Sequence, residues 1–136
     1  MANVLPLRVL IIDDNELTRS LLQLILRGAK YDVVGDAADA QSGLAMAKSL
    51  HPDIILLDNN MPGGNGIDIV KPLRVALPKA VILMVTTSSE QEAIDAAMVS
   101  GASGFVLKPF NTQSVLNTIA ESSRQVVLAN PAVPMI

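Results

Sequence analysis

The sequence lacks cysteine and tryptophan, and its 136 residues include one tyrosine, two phenylalanines and one histidine. Without cysteine the chain can form neither a disulfide nor a thiolate site, and His51 alone cannot build a zinc centre. The scarcity of aromatic rings leaves too few platforms on which nucleic-acid bases or a flavin ring could stack. Carboxylates, hydroxyls and amines therefore remain as the candidate chemical groups.

Long apolar runs and concentrated positive charge are also missing. The formal net charge is −3 and the basic residues form no stripe along the sequence, so we do not expect direct binding of nucleic acid. The longest apolar runs, such as AVILMV at 80–85, have the length of a strand, well short of the ~20 residues that a membrane helix needs. No signal segment opens the sequence. We therefore expect a cytoplasmic protein that does not bind membranes.

Two periodicities alternate along the chain, which is long enough for one domain with a core. Runs rich in Val, Ile and Leu predict five strands, at residues 8–12, 32–35, 53–57, 80–85 and 104–107. Segments with helical spacing of apolar residues follow them. We predict the fourth helix from about Glu90 to Ser100, and the fifth from Thr112 to about Leu128 with Asn111 as its N-cap.

This alternation predicts an α/β fold, because parallel strands joined by single helices form a sheet covered on both faces. With five strands we expect a doubly wound parallel sheet of order 2-1-3-4-5 in a flavodoxin-like, three-layer sandwich. Pro72 lies inside the third helical segment and predicts a kink or a late helix start there. We expect residues 1–6 to lead into one domain at 7–126, and 127–136, with two prolines, to be a tail or the start of a linker.

Polar residues stand at the ends of four of the five predicted strands. Asp13 and Asp14 follow the first strand, Asp58 the third, Thr86 the fourth and Lys108 the fifth. In the order 2-1-3-4-5 these four strands are adjacent, and the carboxyl ends of parallel strands meet at one edge of the sheet. We therefore expect these five side chains to converge on one crevice.

The converging groups suit phosphoryl chemistry. Three carboxylates repel one another, and Mg²⁺ (or Mn²⁺) would relieve that repulsion through the oxygen ligands it prefers. Lys108 offers a positive charge and Thr86 a hydroxyl donor, both suited to the oxygens of a phosphoryl group. Asp58, alone at the end of the central third strand, is the natural nucleophile for an acyl-phosphate intermediate.

Four segments together resemble the signatures of the response-regulator receiver domains of two-component signalling: IIDDNE, IILLDNNMPGGNG, ILMVTTSS and GFVLKPF. The resemblance covers about residues 7–124. It implies that Asp58 is the phosphoacceptor, which takes a phosphoryl group from a phosphohistidine of a histidine kinase or a histidine phosphotransfer protein. It also implies that Asp14 binds the metal directly, Asp13 mainly through water, and Asn60 through its backbone carbonyl.

The resemblance further implies how the signal spreads. Lys108 would bridge Asp58 and the phosphoryl group, while Thr86 would swing towards a phosphoryl oxygen and vacate space into which Phe105 rotates. The peptide bond between Lys108 and Pro109 would be cis, an isomer that proline makes accessible. The surface formed by the fourth helix, fifth strand and fifth helix would then bind a protein target.

The sequence departs from the usual family pattern at two positions. Thr87 follows Thr86 where receiver domains usually have a small residue, and a bulkier neighbour could slow access to the phosphoryl group. The switch aromatic, Phe105, lacks the hydroxyl of a tyrosine. Asn60 and Ser88 resemble the positions that tune dephosphorylation, and neither is charged.

Each of these residues, taken alone, also has a purely structural interpretation. The acidic pair could be a turn or a helix cap, and Asp58 in Asp-Asn-Asn-Met-Pro could be turn chemistry. Thr86 could be an ordinary β-branched strand residue, Lys108 a surface charge and Phe105 a core residue. The joint occurrence at four strand ends favours the functional interpretation.

We expect a phosphorylation-driven switch, a monomer or weak homodimer, that assists its own phosphorylation and dephosphorylation without being a turnover enzyme. An alternative is the N-terminal receiver fragment of a longer regulator with a DNA-binding or enzymatic output domain. A haloacid-dehalogenase-class phosphatase also uses an aspartyl nucleophile, but it needs an acid where Asn60 stands. A flavin-binding domain of related fold would need more aromatic rings.

Overall fold

The computed structural model of the chain describes residues 6–61 and 64–124, without the side chain of Ser88. Five strands are present, namely β1 Arg8–Ile12, β2 Asp32–Ala37, β3 Ile54–Asp58, β4 Val81–Thr87 and β5 Gly104–Lys108. They alternate with five helices, α1 Glu16–Gly28, α2 Ala40–Leu50, α3 Ile67–Ala76, α4 Gln91–Ser100 and α5 Thr112–Ser122. A 3₁₀ turn, Ser88–Glu90, directly precedes α4.

The strands form one parallel sheet in the order β2-β1-β3-β4-β5, which confirms the predicted α/β architecture. The register pairs Asp58 with Val85 and Thr87 with Lys108, so β3, β4 and β5 end at nearly the same level. Because the peptide direction is shared, every carboxyl end lies at one edge of the sheet. This edge carries the polar residues that the sequence places after the strands.

Alternate residues of each strand pack into two separate cores, one on each face of the sheet. Leu10 and Ile12 of β1 lie in the core formed with α2, α3 and α4, whereas Val9 and Ile11 lie in the core formed with α1 and α5. Strands buried on both faces require a continuous apolar run, which the sequence supplies. The result is the expected three-layer sandwich.

Most helix boundaries agree with the sequence, and of the two alternatives expected at Pro72 one is excluded. Asn111 caps α5 through a capping box, in which its side chain accepts from Ser114 N while the Ser114 hydroxyl accepts from Asn111 N. The helix does not start late, because α3 begins at Ile67 and contains Pro72, and a kink at Pro72 stays a prediction. Burial of Val70 and Leu73 on the opposite side of α3 stabilises this helix, while Pro72 itself lies on the exposed face.

Several expectations concern residues that the structure does not describe. α5 ends at Ser122 with Ser123 as its C-cap. The part of the predicted fifth helix from 125 to about Leu128 and the tail at 127–136 lie outside the described residues, and of the lead at 1–6 only Pro6 is described. Within the described ranges, none of the helices combines the length and the apolar character needed to cross a bilayer.

Candidate functional site

The carboxyl ends of β1, β3 and β5 bring three charged side chains into direct contact. Lys108, the last residue of β5, places its Nζ 3.0 Å from Oδ1 of Asp58 and 3.8 Å from Oδ2 of Asp13. Asp58 ends β3, and Asp13 follows β1, where its backbone N–H donates to the carbonyl of Ala37 on β2. The sheet order therefore brings these three residues together, as their positions at the strand ends predict.

Asp13, Asp14 and Asp58 form an acidic cluster at this edge. One carboxylate oxygen from each lies within 4.8 Å of the other two. Asp13 and Asp58 are only 1% and 4% exposed, whereas Asp14 faces solvent. The cluster is thus open on one side and buried on the other.

The hydrogen bonding of Asp13 fits a cation ligand. Its Oδ1 accepts from the backbone N–H of Asn15 at 2.9 Å, but its buried Oδ2 has no hydrogen-bond partner among the described residues. A buried acceptor without a donor is costly, and a hard divalent cation between clustered carboxylates would satisfy it. The donor set, all oxygen, suits Mg²⁺ or Mn²⁺.

Burial raises the pKa of both inner carboxyls, those of Asp58 and Asp13. It raises the pKa of Asp58 to about 6, helped by the nearby charges of Asp13 and Asp14 and opposed by the hydrogen bond from Lys108. Burial also raises the pKa of Asp13, against the backbone N–H of Asn15 and the charge of Lys108. The ammonium group of Lys108 therefore does not offset the cost of burying these two carboxylates as anions, and a divalent cation would supply further positive charge.

Asn15, and neither member of the acidic pair, caps the helix that follows. Its side chain accepts from the backbone N–H of Thr18 at the start of α1. The cap interpretation of Asp13 and Asp14 is therefore wrong, whereas the turn interpretation holds for Oδ1 of Asp13, which accepts from the backbone N–H of Asn15. Arg19, one turn into α1, donates to the carbonyl of Asp13 at 2.7 Å and pairs with Asp36 of β2.

The loop after β3 returns close to the strand end. Gly66 donates its N–H to the carbonyl of Asn59, and a Cβ added at Gly66 would lie only 2.1 Å from the carbonyl oxygen of Asp58. No side chain fits in that space. Glycine at this position therefore allows the approach of the loop that leads into α3.

Thr86 lies at the same edge, but its hydroxyl is engaged elsewhere. The side chain is 3% exposed and donates to Oε2 of Glu90 at 2.7 Å. Glu90 also accepts from the side-chain amides of Asn59, at 2.9 Å, and Asn60. These three hydrogen bonds, led by that of Thr86, lower the pKa of Glu90.

Glu90, Asn59 and Arg19 are not among the site residues that the sequence pattern predicts. For Glu90 a usable signal exists, because a carboxylate just after β4 lies at the same sheet edge as Thr86. The partners of Arg19 carry no such signal. Of the other expected residues, Phe105 is 39% exposed, which contradicts the core interpretation, and the Lys108–Pro109 bond is cis. The side chain of Ser88 lies outside the described residues.

This arrangement can perform group transfer to a carboxylate. Asp58 presents a buried oxygen nucleophile beside an ammonium group, next to a carboxylate pair that can hold a cation. The ammonium group of Lys108, together with a cation held by the carboxylate pair, would suit an anionic electrophile such as a phosphoryl group.

Comparisons with known proteins bear on this chemistry. Residues 9–120 match the family model described as the response regulator receiver domain. The chain is 33% identical over 138 residues to the nitrate/nitrite response regulator protein NarL of Escherichia coli, an alignment that covers all of this chain and 64% of NarL. It is 34% identical over 117 residues to the chemotaxis protein CheY of Thermotoga maritima, covering 86% of this chain and 98% of that one.

A solved structure agrees with the fold. The CheX-CheY-BeF₃-Mg²⁺ complex of Borrelia burgdorferi contains a chain that superposes with a TM-score of 0.82 at 25% identity, covering 86% of this chain and 89% of that chain. By contrast with the CheY proteins, NarL is longer, and this chain spans less than two thirds of it.

Proposed function

The chain belongs to the response regulator receiver domain family, and from that premise we propose that it is a phosphorylation-driven switch whose phosphoacceptor is Asp58. Phosphorylation of an aspartate is the general function of this family. The observation that carries the assignment to Asp58 is its contact with Lys108, 3.0 Å away, inside the cluster shared with Asp13 and Asp14. Among these carboxylates, only Asp58 combines burial with a direct hydrogen bond from the ammonium group.

Asp58 performs the chemical step. One oxygen of its carboxylate attacks the phosphorus of a phosphohistidine on a histidine kinase or a histidine phosphotransfer protein. The new P–O bond forms as the P–N bond breaks, and the imidazole takes the bonding electron pair and then a proton from solvent. Lys108 holds positive charge beside the attacking carboxylate and the incoming oxygens.

The acidic residues would hold the metal. Asp14 and Asp58 would bind Mg²⁺ or Mn²⁺ directly, Asp13 mainly through water, and Asn60 through its backbone carbonyl. The bound cation supplies positive charge to the carboxylates and to the phosphoryl oxygens. Oδ2 of Asp13, which is buried and has no hydrogen-bond partner among the described residues, supports this assignment.

The output of the switch is a change at the surface formed by α4, β5 and α5. Thr86 turns its hydroxyl to the phosphoryl group, and Phe105 moves into the space that Thr86 leaves. Exposed apolar side chains on α4 and β5 support a protein target for this surface, since Val99 is 89% exposed and Met98 and Leu107 are also exposed. Asn60 and Ser88 tune the rate at which the phosphoryl group is lost.

The chain would act as a phosphoacceptor and would turn over no substrate. The position two residues after Asp58, where a phosphatase of the dehalogenase class needs an acid, is Asn60, whose amide donates to Glu90. We therefore expect negligible hydrolysis of phosphate esters. We propose a cytoplasmic monomer or weak homodimer, with the domain at 7–126.

A second candidate is a receiver that works as part of a longer regulator. The chain spans 64% of NarL, so this relative has further sequence in which an output domain would lie. In that case the same surface of α4, β5 and α5 would contact the output domain instead of a separate target. The phosphorylation chemistry is identical in both cases.

Labelling of Asp58 tests the proposal. Wild type incubated with acetyl phosphate and Mg²⁺ should gain one phosphoryl group by intact-mass spectrometry, and Asp58→Asn should gain none. Asp32→Asn, which neutralises an exposed carboxyl on β2, serves as the matched control and should be labelled like wild type. Undiminished labelling of Asp58→Asn would refute the assignment.

A further inference from the structure

Glu90 joins two parts of the site that the chain keeps apart. It ends the 3₁₀ turn after β4, and its carboxylate accepts from the hydroxyl of Thr86 at 2.7 Å. The same carboxylate accepts from the amides of Asn59 and Asn60, which directly follow the phosphoacceptor Asp58. One side chain therefore ties β4 to the loop after β3.

Capping of α4 does not explain this arrangement. Glu90 is the N-cap residue of α4, yet its side chain makes no capping hydrogen bond. A carboxylate at a helix start would ordinarily accept from the free N–H groups of the first turn. Here the carboxylate is instead occupied by the three side-chain donors of β4 and the loop after β3.

The contact with Thr86 has a direct consequence for phosphorylation. A hydroxyl has one proton to donate, and Thr86 donates it to Glu90. The same proton cannot at that moment be donated to a phosphoryl oxygen on Asp58. Glu90 and the phosphoryl group are thus competing acceptors for one buried donor.

We infer that Glu90, itself held by the Asn59 and Asn60 amides, is a positioning residue that latches the unphosphorylated state by holding the Thr86 hydroxyl until a phosphoryl group replaces Glu90 as its acceptor. This inference rests on the proposed function, because the competing acceptor is the group carried by Asp58. Activation then requires the loss of the hydrogen bond from Thr86 to Glu90. This bond favours the unphosphorylated conformation when no phosphoryl group is present.

Removing the latch should strengthen binding of a phosphoryl mimic. A hydrogen bond to a charged group contributes enough to change an equilibrium by about tenfold or more, and we take the lower end because Glu90 is half-exposed. Glu90→Ala should bind beryllofluoride with Mg²⁺ about tenfold more tightly than wild type by isothermal titration calorimetry. Glu90→Gln, which keeps an oxygen acceptor without the charge, should be intermediate. Glu92→Ala, an exposed carboxyl on α4, should bind like wild type.

A double-mutant cycle separates the latch from a general loosening of the fold. In a Thr86→Val background no hydroxyl remains to be released, so Glu90→Ala should change the affinity for beryllofluoride by less than about twofold. An effect that persists at full size in that background, or equal affinities of wild type and Glu90→Ala, would overturn the inference. Weaker binding by Glu90→Ala would do the same.

The ligand-free protein provides a readout independent of phosphorylation. Loss of its acceptor should shift the methyl NMR signal of Thr86 in Glu90→Ala, whereas Glu90→Gln, which keeps an oxygen acceptor, should shift it less and Glu92→Ala should leave it unchanged. An unchanged Thr86 signal in Glu90→Ala would refute the latch. Retained binding of beryllofluoride by Asp58→Asn would refute the proposed function instead, and the Thr86 signal would still decide whether the latch exists.

Discussion

Replacing Asp58 by asparagine should stabilise the metal-free protein at neutral and alkaline pH. Asp58 is 4% exposed and burial raises its pKa to about 6, from an ordinary value of 3.8. The ionised form is therefore disfavoured in the folded state even with Lys108 beside it. Asparagine resembles the neutral carboxyl in shape and removes that cost.

The sign of the pH dependence follows from the raised pKa. The folded state binds the Asp58 proton more tightly than the unfolded state, so its contribution to stability is fully present below about pH 4 and is lost as pH rises through about 6. A difference of about two pKa units corresponds to ~3 kcal/mol at most. The gain from Asp58→Asn should accordingly grow from near zero at about pH 4 to ~3 kcal/mol at about pH 8.

Urea unfolding followed by circular dichroism measures this gain, because the chain has no tryptophan to report by fluorescence. In thermal unfolding at about pH 8 with a chelator present, the Tm of the variant should be roughly 10 °C higher than that of wild type. Added Mg²⁺ should stabilise wild type much more than the variant and so reduce the difference in Tm between them. Asp32→Asn, on the exposed face of β2, should follow the wild-type pH curve. Parallel pH curves for wild type and Asp58→Asn would refute the reasoning.

Three further substitutions probe the site. Lys108→Met removes the ammonium group 3.0 Å from Asp58, so labelling by acetyl phosphate should fall at least about tenfold while calorimetry still detects Mg²⁺ binding. Gly66→Ala places a Cβ 2.1 Å from a backbone oxygen and should cost about 1–3 kcal/mol in urea unfolding, whereas Gly28→Ala, with open space, should cost almost nothing. Arg19→Met frees the carbonyl that follows β1 and should weaken Mg²⁺ binding several-fold; unchanged affinity would show that this contact does not position the cluster.

The site was largely predictable because strand ends are easy to locate. Apolar runs of strand length identified β1, β3 and β5, and the parallel order then required Asp13, Asp58 and Lys108 to meet at one edge. The same reasoning could not reveal which oxygen of Asp13 lacks a donor, since that depends on the rotamer and on the turn at Asn15. Residue type and position predict that these side chains meet, whereas the individual hydrogen bonds between their atoms follow only from the three-dimensional structure.

The sequence by itself determined the architecture, the sheet order and the acidic cluster, because periodicity records which side chains are buried and parallel topology aligns the strand ends. Only the tertiary structure decided what occupies the Thr86 hydroxyl. Glu90 meets Asn59 and Asn60 across 31 and 30 positions of the chain. No periodic pattern encodes such a contact, since it arises from the packing of the turn before α4 against the loop after β3.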